Sequence, residues 1–167
     1  MTGAKTLDIL KGAILLEHRG KALYESVVST SQSEGVKELF QMLSREEDKH
    51  INLLEKQFTR IAKGETFDIA ELEKDHASTH ESIITQKIVE SISGAGYEAA
   101  VIAAALEFEK NAVKFYGEHA STAESEQEQK LYRWLTEWEK SHMLMMAKLD
   151  NELKEKIWYD NQFWPLD

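Results

Sequence analysis

Leu131-Tyr132-Arg133-Trp134-Leu135-Thr136-Glu137-Trp138-Glu139-Lys140-Ser141-His142-Met143-Leu144-Met145-Met146 is the stretch on which the fold turns. Leu131, Leu135, Met146, Leu149 and Leu153 recur at three- and four-residue steps, the pattern of a helix with one apolar face. Glu139 and His142 interrupt that face. Three residues apart on a helix, they lie about 60° apart around the axis and about 4.5 Å apart along it, so both can grip one cation. Breaks in local consistency of this kind are expected at functional sites.

Composition sets the frame around this helix. The 167 residues suit one domain, 1–167, with a sizeable core. With 42% hydrophobic and 30% charged residues the chain is not expected to be disordered. Ala, Leu, Glu and Lys dominate, and Pro occurs once, at Pro165, so an all-α domain is favoured. The formal net charge is −10 and no basic stripe is present, which disfavours nucleic acid as a partner. With no Cys, structural disulfides, thiolate metal sites and thiol nucleophiles are excluded. The start of the chain lacks a signal-peptide layout, and no apolar run approaches the roughly 18 residues of a membrane span. The expected setting is therefore the cytoplasm, with no membrane partner.

Read in order, the sequence predicts four long helices. The first covers about 5–30, with Leu10, Ala13, Gly20, Tyr24 and Val27 on its face and Glu17 among them. The second runs from an N-cap at Ser33 to about Lys63, with Gly64 as its stop. Its stripe is Val36, Leu39, Leu43, Leu54 and Phe58, broken by Glu47 and His50. Residues 64–95 form a connector with two weaker helical pieces, about 68–74 and 79–91. Neighbouring antiparallel helices need only a short loop, so this length predicts a crossover along the bundle. The third helix covers about 97–119, with Glu109 among Ile102, Ala105, Ala112 and Tyr116. The fourth covers about 124–156, followed by an aromatic tail expected to pack against the bundle or a second subunit.

Sliding the chain on itself by 92 positions pairs Glu17 with Glu109, Tyr24 with Tyr116, Leu39 with Leu131, Leu43 with Leu135, Glu47 with Glu139 and His50 with His142. The chain thus reads as a duplicated helical hairpin. Each half gives one lone Glu and, 30 residues later, one Glu-x-x-His. Neighbouring residues are not kept: Glu46 pairs with Trp138, and Arg45 with Glu137. The kept polar residues are therefore expected to point inward and the unkept ones outward.

Four carboxylates in a dry core repel one another, and burying even one unpaired charge costs several kcal/mol. Two divalent cations balance four carboxylates, and two neutral imidazoles complete the ligand sets. A bridging carboxylate pair, with one terminal Glu and one His per metal, is a natural division. Oxygen-rich ligands with imidazole and no thiolate suit iron or manganese, with zinc possible.

A Glu from each of two helices and a Glu-x-x-His from each of the other two form the pattern of carboxylate-bridged dimetal bundles. On Glu17-x-x-Gly20-x-x-Leu23-Tyr24, Glu47-x-x-His50, Glu109-x-x-Ala112-x-x-Phe115-Tyr116 and Glu139-x-x-His142, over about 5–156, the chain resembles the rubrerythrin branch of the ferritin-like superfamily. The resemblance implies a ferritin-like four-helix bundle holding two iron ions on Glu17, Glu47, His50, Glu109, Glu139 and His142. It also implies reduction of hydrogen peroxide, or of O2, at that centre. Rubrerythrins usually append a four-Cys rubredoxin-type site; without Cys, this chain needs an external electron-donor protein such as a rubredoxin. They also carry a further carboxylate on the third helix, where this chain has Leu106 and Ala112 one turn either side of Glu109. The ligand exchange tied to that extra Glu is not expected here.

Tyr24 and Tyr116, seven residues after the lone Glu residues, share their face and can hydrogen-bond a metal-bound carboxylate. The other reading is ordinary core aromatics. His76 and His80 are expected at the surface, His18 and His119 in solvent, Met143, Met145 and Met146 as core filler, and Trp134 and Trp138 between helices or subunits. A homodimer is the expected oligomer. Ferroxidase or iron-handling activity, manganese-catalase-like dismutation, and a metal-stabilised interaction module without redox turnover are the competing functions.

Overall fold

The computed structural model describes residues 2–73, 81–93 and 96–161. The elements are α1 (Thr2–Thr30), α2 (Glu34–Ala62), a 3-10 turn (Ala70–Glu73), α3 (Glu81–Ser91), α4 (Tyr97–Ser121) and α5 (Glu126–Asn161). The α1–α2 hairpin and the α4–α5 hairpin pack side by side as a four-helix bundle, and α3 lies within the connector. His76 and His80 lie outside the described residues. Among those residues, no helix is long and apolar enough to cross a membrane.

The caps explain the boundaries. Ser33 has extended backbone and its Oγ accepts a hydrogen bond from the Val36 N–H, satisfying a donor that the start of α2 cannot pair internally. Gly64, at φ 79°, takes the left-handed conformation that ends α2, and its N–H reaches the Ile61 carbonyl. The end of α5 departs from expectation. It continues five residues beyond Lys156 because nothing before Pro165 breaks it, and it leaves Trp158 and Tyr159 exposed. These two residues of the aromatic tail therefore belong to a helix.

The helix faces read from the sequence are buried, in two apolar clusters. One holds Tyr24, Val27, Val36, Leu39, Phe40, Leu43, Ile102, Met146, Leu149 and Leu153. The other holds Leu10, Ala13, Leu54, Tyr116, Leu131, Tyr132 and Leu135. A belt of buried polar residues separates them. Apolar burial at this scale contributes roughly 25 cal/mol per Å², so the two clusters supply the folding drive and the belt opposes it.

The crossover is pinned at one end of the bundle. Ile88 of α3 packs where Gly35 has no side chain: a Cβ there would stand 3.1 Å from Ile88 Cγ1. Lys156 of α5 donates from Nζ to the carbonyls of Val89 (3.1 Å) and Ile92 (2.7 Å), capping the end of α3. Lys156→Ala is expected to cost about 1–2 kcal/mol. The check is thermal unfolding together with amide exchange, whose faster component should map to α3.

Candidate metal centre

Each helix of the bundle contributes to the polar belt. Glu17 comes from α1, Glu47 and His50 from α2, Glu109 from α4, and Glu139 and His142 from α5. All six are at most 2% exposed. The inward register follows from the stripes: each residue sits where its helix would otherwise place an apolar side chain.

The six residues form two overlapping sets. Glu17, Glu47, His50 and Glu139 can each offer one ligand atom, all within 4.8 Å of one another, and so can Glu47, Glu109, Glu139 and His142. Glu47 and Glu139 belong to both sets. Glu17 and His50 belong to one, Glu109 and His142 to the other. That is the division into a shared carboxylate pair and a terminal Glu and His.

Both imidazoles turn Nδ1 inward. His50 Nδ1 lies 3.3 Å from Glu17 Oε2 and 3.1 Å from Glu139 Oε1. His142 Nδ1 lies 3.5 Å from Glu109 Oε1 and 3.6 Å from Glu139 Oε2. The two rings are close to parallel, with centroids 6.4 Å apart and an interplanar angle of 24°.

The chemistry of these atoms fits metal ions. Both oxygens of Glu47, both of Glu139, Glu109 Oε2 and His142 Nδ1 are buried and have no hydrogen-bond partner among the described residues. Buried polar groups in folded proteins are nearly always paired, so a cluster of lone pairs aimed into one space calls for a cation.

Without metal, protons must take that place. Burial and the charges of Glu139 and Glu17 push the Glu47 carboxyl well above its ordinary range. Burial and the Glu139 charge raise Glu109 to about 7, although His142 works against them. Burial alone would lower His50, but the Glu17 charge, the Glu139 carboxylate 3.1 Å away and a hydrogen bond to Glu17 outweigh it and lift His50 to about 10. His142 is raised well above its ordinary value by Glu109, Glu139 and Glu46, also against burial. Burial would raise Glu17, but contacts with Glu47, His50 and Tyr116 hold it at about 2. Burial and the Glu17 charge also push Glu139 upward, yet both imidazoles together hold it below the usual carboxylate value. The metal-free belt is thus two imidazolium ions beside the ionised Glu17 and Glu139, with Glu47 protonated and Glu109 partly so near neutrality.

The tyrosines cross between halves. Tyr24 of the first hairpin donates its hydroxyl proton to Glu109 Oε1 of the second, and Tyr116 of the second donates to Glu17 Oε1 of the first. Burial, followed by the facing carboxylate, raises both phenols well above their ordinary value, so both stay protonated.

The surrounding residues complete the description. Glu46, expected to point outward, instead accepts a hydrogen bond at Oε2 from His142 Nε2. It sits at the α2–α5 seam, where a long side chain at the edge of the buried stripe reaches the neighbouring helix. The repeat could not reveal it, because the matching position holds Trp138. Trp134 and Trp138 pack against His50, with ring centroids 5.8 and 5.5 Å away. His119, expected in solvent, is half-buried against Phe115 at 4.5 Å. His18 is exposed, 3.9 Å from Glu55, and Met145 and Met146 fill the core as expected. The position one turn after Glu109 is Ala112, buried, while Glu107 faces outward and pairs with Lys110 at 3.2 Å.

Comparison with known proteins comes from two directions. The family model described as Rubrerythrin matches residues 8–150, and this is a ferritin-like di-iron family. Among solved structures, a hypothetical protein from Pyrococcus furiosus is similar in fold, with a TM-score of 0.63 and 20% identity. The match covers 89% of this chain and 90% of that one. No curated protein matches the chain.

Proposed function

The chain belongs to the rubrerythrin family, and on that footing we propose that it is a non-haem di-iron oxidoreductase reducing hydrogen peroxide, or O2, to water. The observation that carries the reading is the pair of buried ligand sets sharing Glu47 and Glu139. Manganese or zinc could occupy the same donors, which suit iron and manganese alike, and iron is the metal typical of the family. Two bound ferrous ions would supply the two electrons which, with two protons, convert H2O2 to two waters; O2 takes four electrons and four protons, the further two electrons coming from the external donor.

The chain's own residues do the rest. Glu17, Glu47, His50, Glu109, Glu139 and His142 hold the ions. The two apolar clusters above and below the belt keep bulk water away and strengthen electrostatic interactions within it. Tyr24 and Tyr116 fix the orientation of Glu109 and Glu17 and keep their phenolic protons beside the site.

On this reading the electrons come from outside these 167 residues, which hold no Cys, from a donor protein such as a rubredoxin. A homodimer in the cytoplasm completes the reading.

The test is anaerobic stopped-flow oxidation of the reduced, iron-loaded protein. Oxidation by peroxide far faster than by O2 is the expected result. Equal rates, or no reaction with peroxide, would count against the reading and turn attention to ferroxidase chemistry.

A further inference from the structure

The two halves match at every ligand position but differ at the residue before each motif Glu. The first half has Glu46 and the second has Trp138. Each reaches the imidazole of the other half. Glu46 Oε2 accepts from His142 Nε2, whereas the Trp138 ring packs at 71° to His50 with centroids 5.5 Å apart. Trp134 flanks the same histidine at 71°.

These neighbours act differently on the two rings. A carboxylate on Nε2 fixes the tautomer: the proton sits on Nε2 and the Nδ1 lone pair points at the ligand set. It also makes the imidazole a better donor to a cation. His142 Nδ1 is buried, has no hydrogen-bond partner among the described residues, and faces the Glu109 and Glu139 carboxylates of its set. The indoles around His50 restrict its ring by packing but bring no charge; Trp138 also flanks His142, with centroids 6.1 Å apart, so what His142 alone has is the Glu46 carboxylate. Glu46 also adds a carboxylate near only one of the two sets, from a side chain that is 13% exposed.

We propose that Glu46 is a positioning residue that makes the two metal positions unequal. The set of Glu47, Glu109, Glu139 and His142 is the tighter one and fills first. The set of Glu17, Glu47, Glu139 and His50 fills second. This inference rests on reading the belt as a metal centre but not on its reacting with peroxide.

The experiment is titration of the metal-free protein with Co2+, followed by calorimetry and visible absorption. The wild type is expected to load in two steps of one ion each, at least about tenfold apart in affinity. Glu46→Gln keeps the shape of the side chain and removes its charge. It is expected to weaken the first step about 10–100-fold, as loss of an outer partner of a ligating histidine does. The second step should change far less, and Trp138→Phe should leave the first step in place.

In the Co2+ form, the hyperfine-shifted imidazole N–H proton held by Glu46 is expected to exchange slowly with solvent in the wild type and quickly in Glu46→Gln. Far-UV circular dichroism of both variants identifies any loss of fold, and the proton-exchange measurement on the wild type stands independently of them. A single wild-type step, or equal weakening of both steps in Glu46→Gln, overturns the proposal. Two unequal steps that respond as described, in a protein that ignores peroxide, would sink the proposed reaction and leave this inference standing.

Discussion

Glu47→Gln is expected to abolish loading of both metal positions while leaving the metal-free protein as stable as the wild type, or more so. Glu47 belongs to both ligand sets, so its loss removes a donor from each ion at once. In the metal-free protein its carboxyl is pushed well above the ordinary range by burial and by Glu139 and Glu17, so it is already neutral. A neutral amide of the same shape changes little there. Glu139 is also shared, but the two imidazoles hold it ionised as their counter-ion. Glu139→Gln therefore loses both metals as well and costs the metal-free protein about 3–5 kcal/mol, the usual consequence of breaking a buried ion pair. Glu17→Gln and Glu109→Gln each remove one terminal donor and should spare one of the two ions. Metal content after dialysis, with thermal unfolding of the metal-free forms, separates the four variants. Retention of two ions by Glu47→Gln would show that the carboxylate is not shared.

The second large effect is a reversal of pH dependence on loading. His50 is raised in the fold to about 10 from an ordinary 6.5. Its stabilising contribution is complete below pH 6.5 and is lost as pH rises towards 10. Glu109, raised to about 7 from 4.5, acts in the same sense between those values. Glu17, lowered to about 2, acts oppositely, its contribution being lost as pH falls from 4.5 towards 2. Metal-free protein should therefore melt at lower temperature at pH 9 than at pH 6.

Metals require deprotonated ligands, so loading displaces the protons on His50, His142 and Glu47 and the remaining fraction on Glu109, roughly three to four in all near neutrality. Loaded protein should then hold its stability, or gain it, across the range where the metal-free form weakens. At a free metal concentration of about 1,000 times Kd, each position contributes about 4 kcal/mol. At about 2–4 °C per kcal/mol for a chain of this size, the two together raise the midpoint by roughly 15–30 °C. Calorimetric scans at several pH values, with and without metal, and proton release in weak buffer check both halves of the expectation. A midpoint indifferent to metal would remove the case for a metal centre.

The belt was legible because duplication printed it twice. A single Glu-x-x-His on a helix is weak, but Glu47 and His50 repeat Glu139 and His142 at the same place on an apolar stripe. The helices themselves were legible from the three-and-four spacing, to within a few residues at most ends. The same logic hid Glu46. A residue unmatched between halves was expected to face solvent, yet the α2–α5 seam lies beside the stripe and a carboxylate there can reach across it. His119 was missed for a related reason: periodicity ranks a position by its angle on its own helix, whereas Tyr132 of α5 lies 6.1 Å away and helps shelter it. Nor could periodicity mark the end of α5, because helix-compatible residues run past Lys156.

The crossed bonds of Tyr24 to Glu109 and Tyr116 to Glu17 have a consequence for ancestry. Neither hairpin completes its own half; each supplies the hydroxyl that its opposite number needs. A forebear only one hairpin long would have had both pieces of that bargain, provided that two copies met face to face. The modern chain then reads as a symmetric pair fused by its crossover, and Glu46 opposite Trp138 is one of the places where the two copies differ.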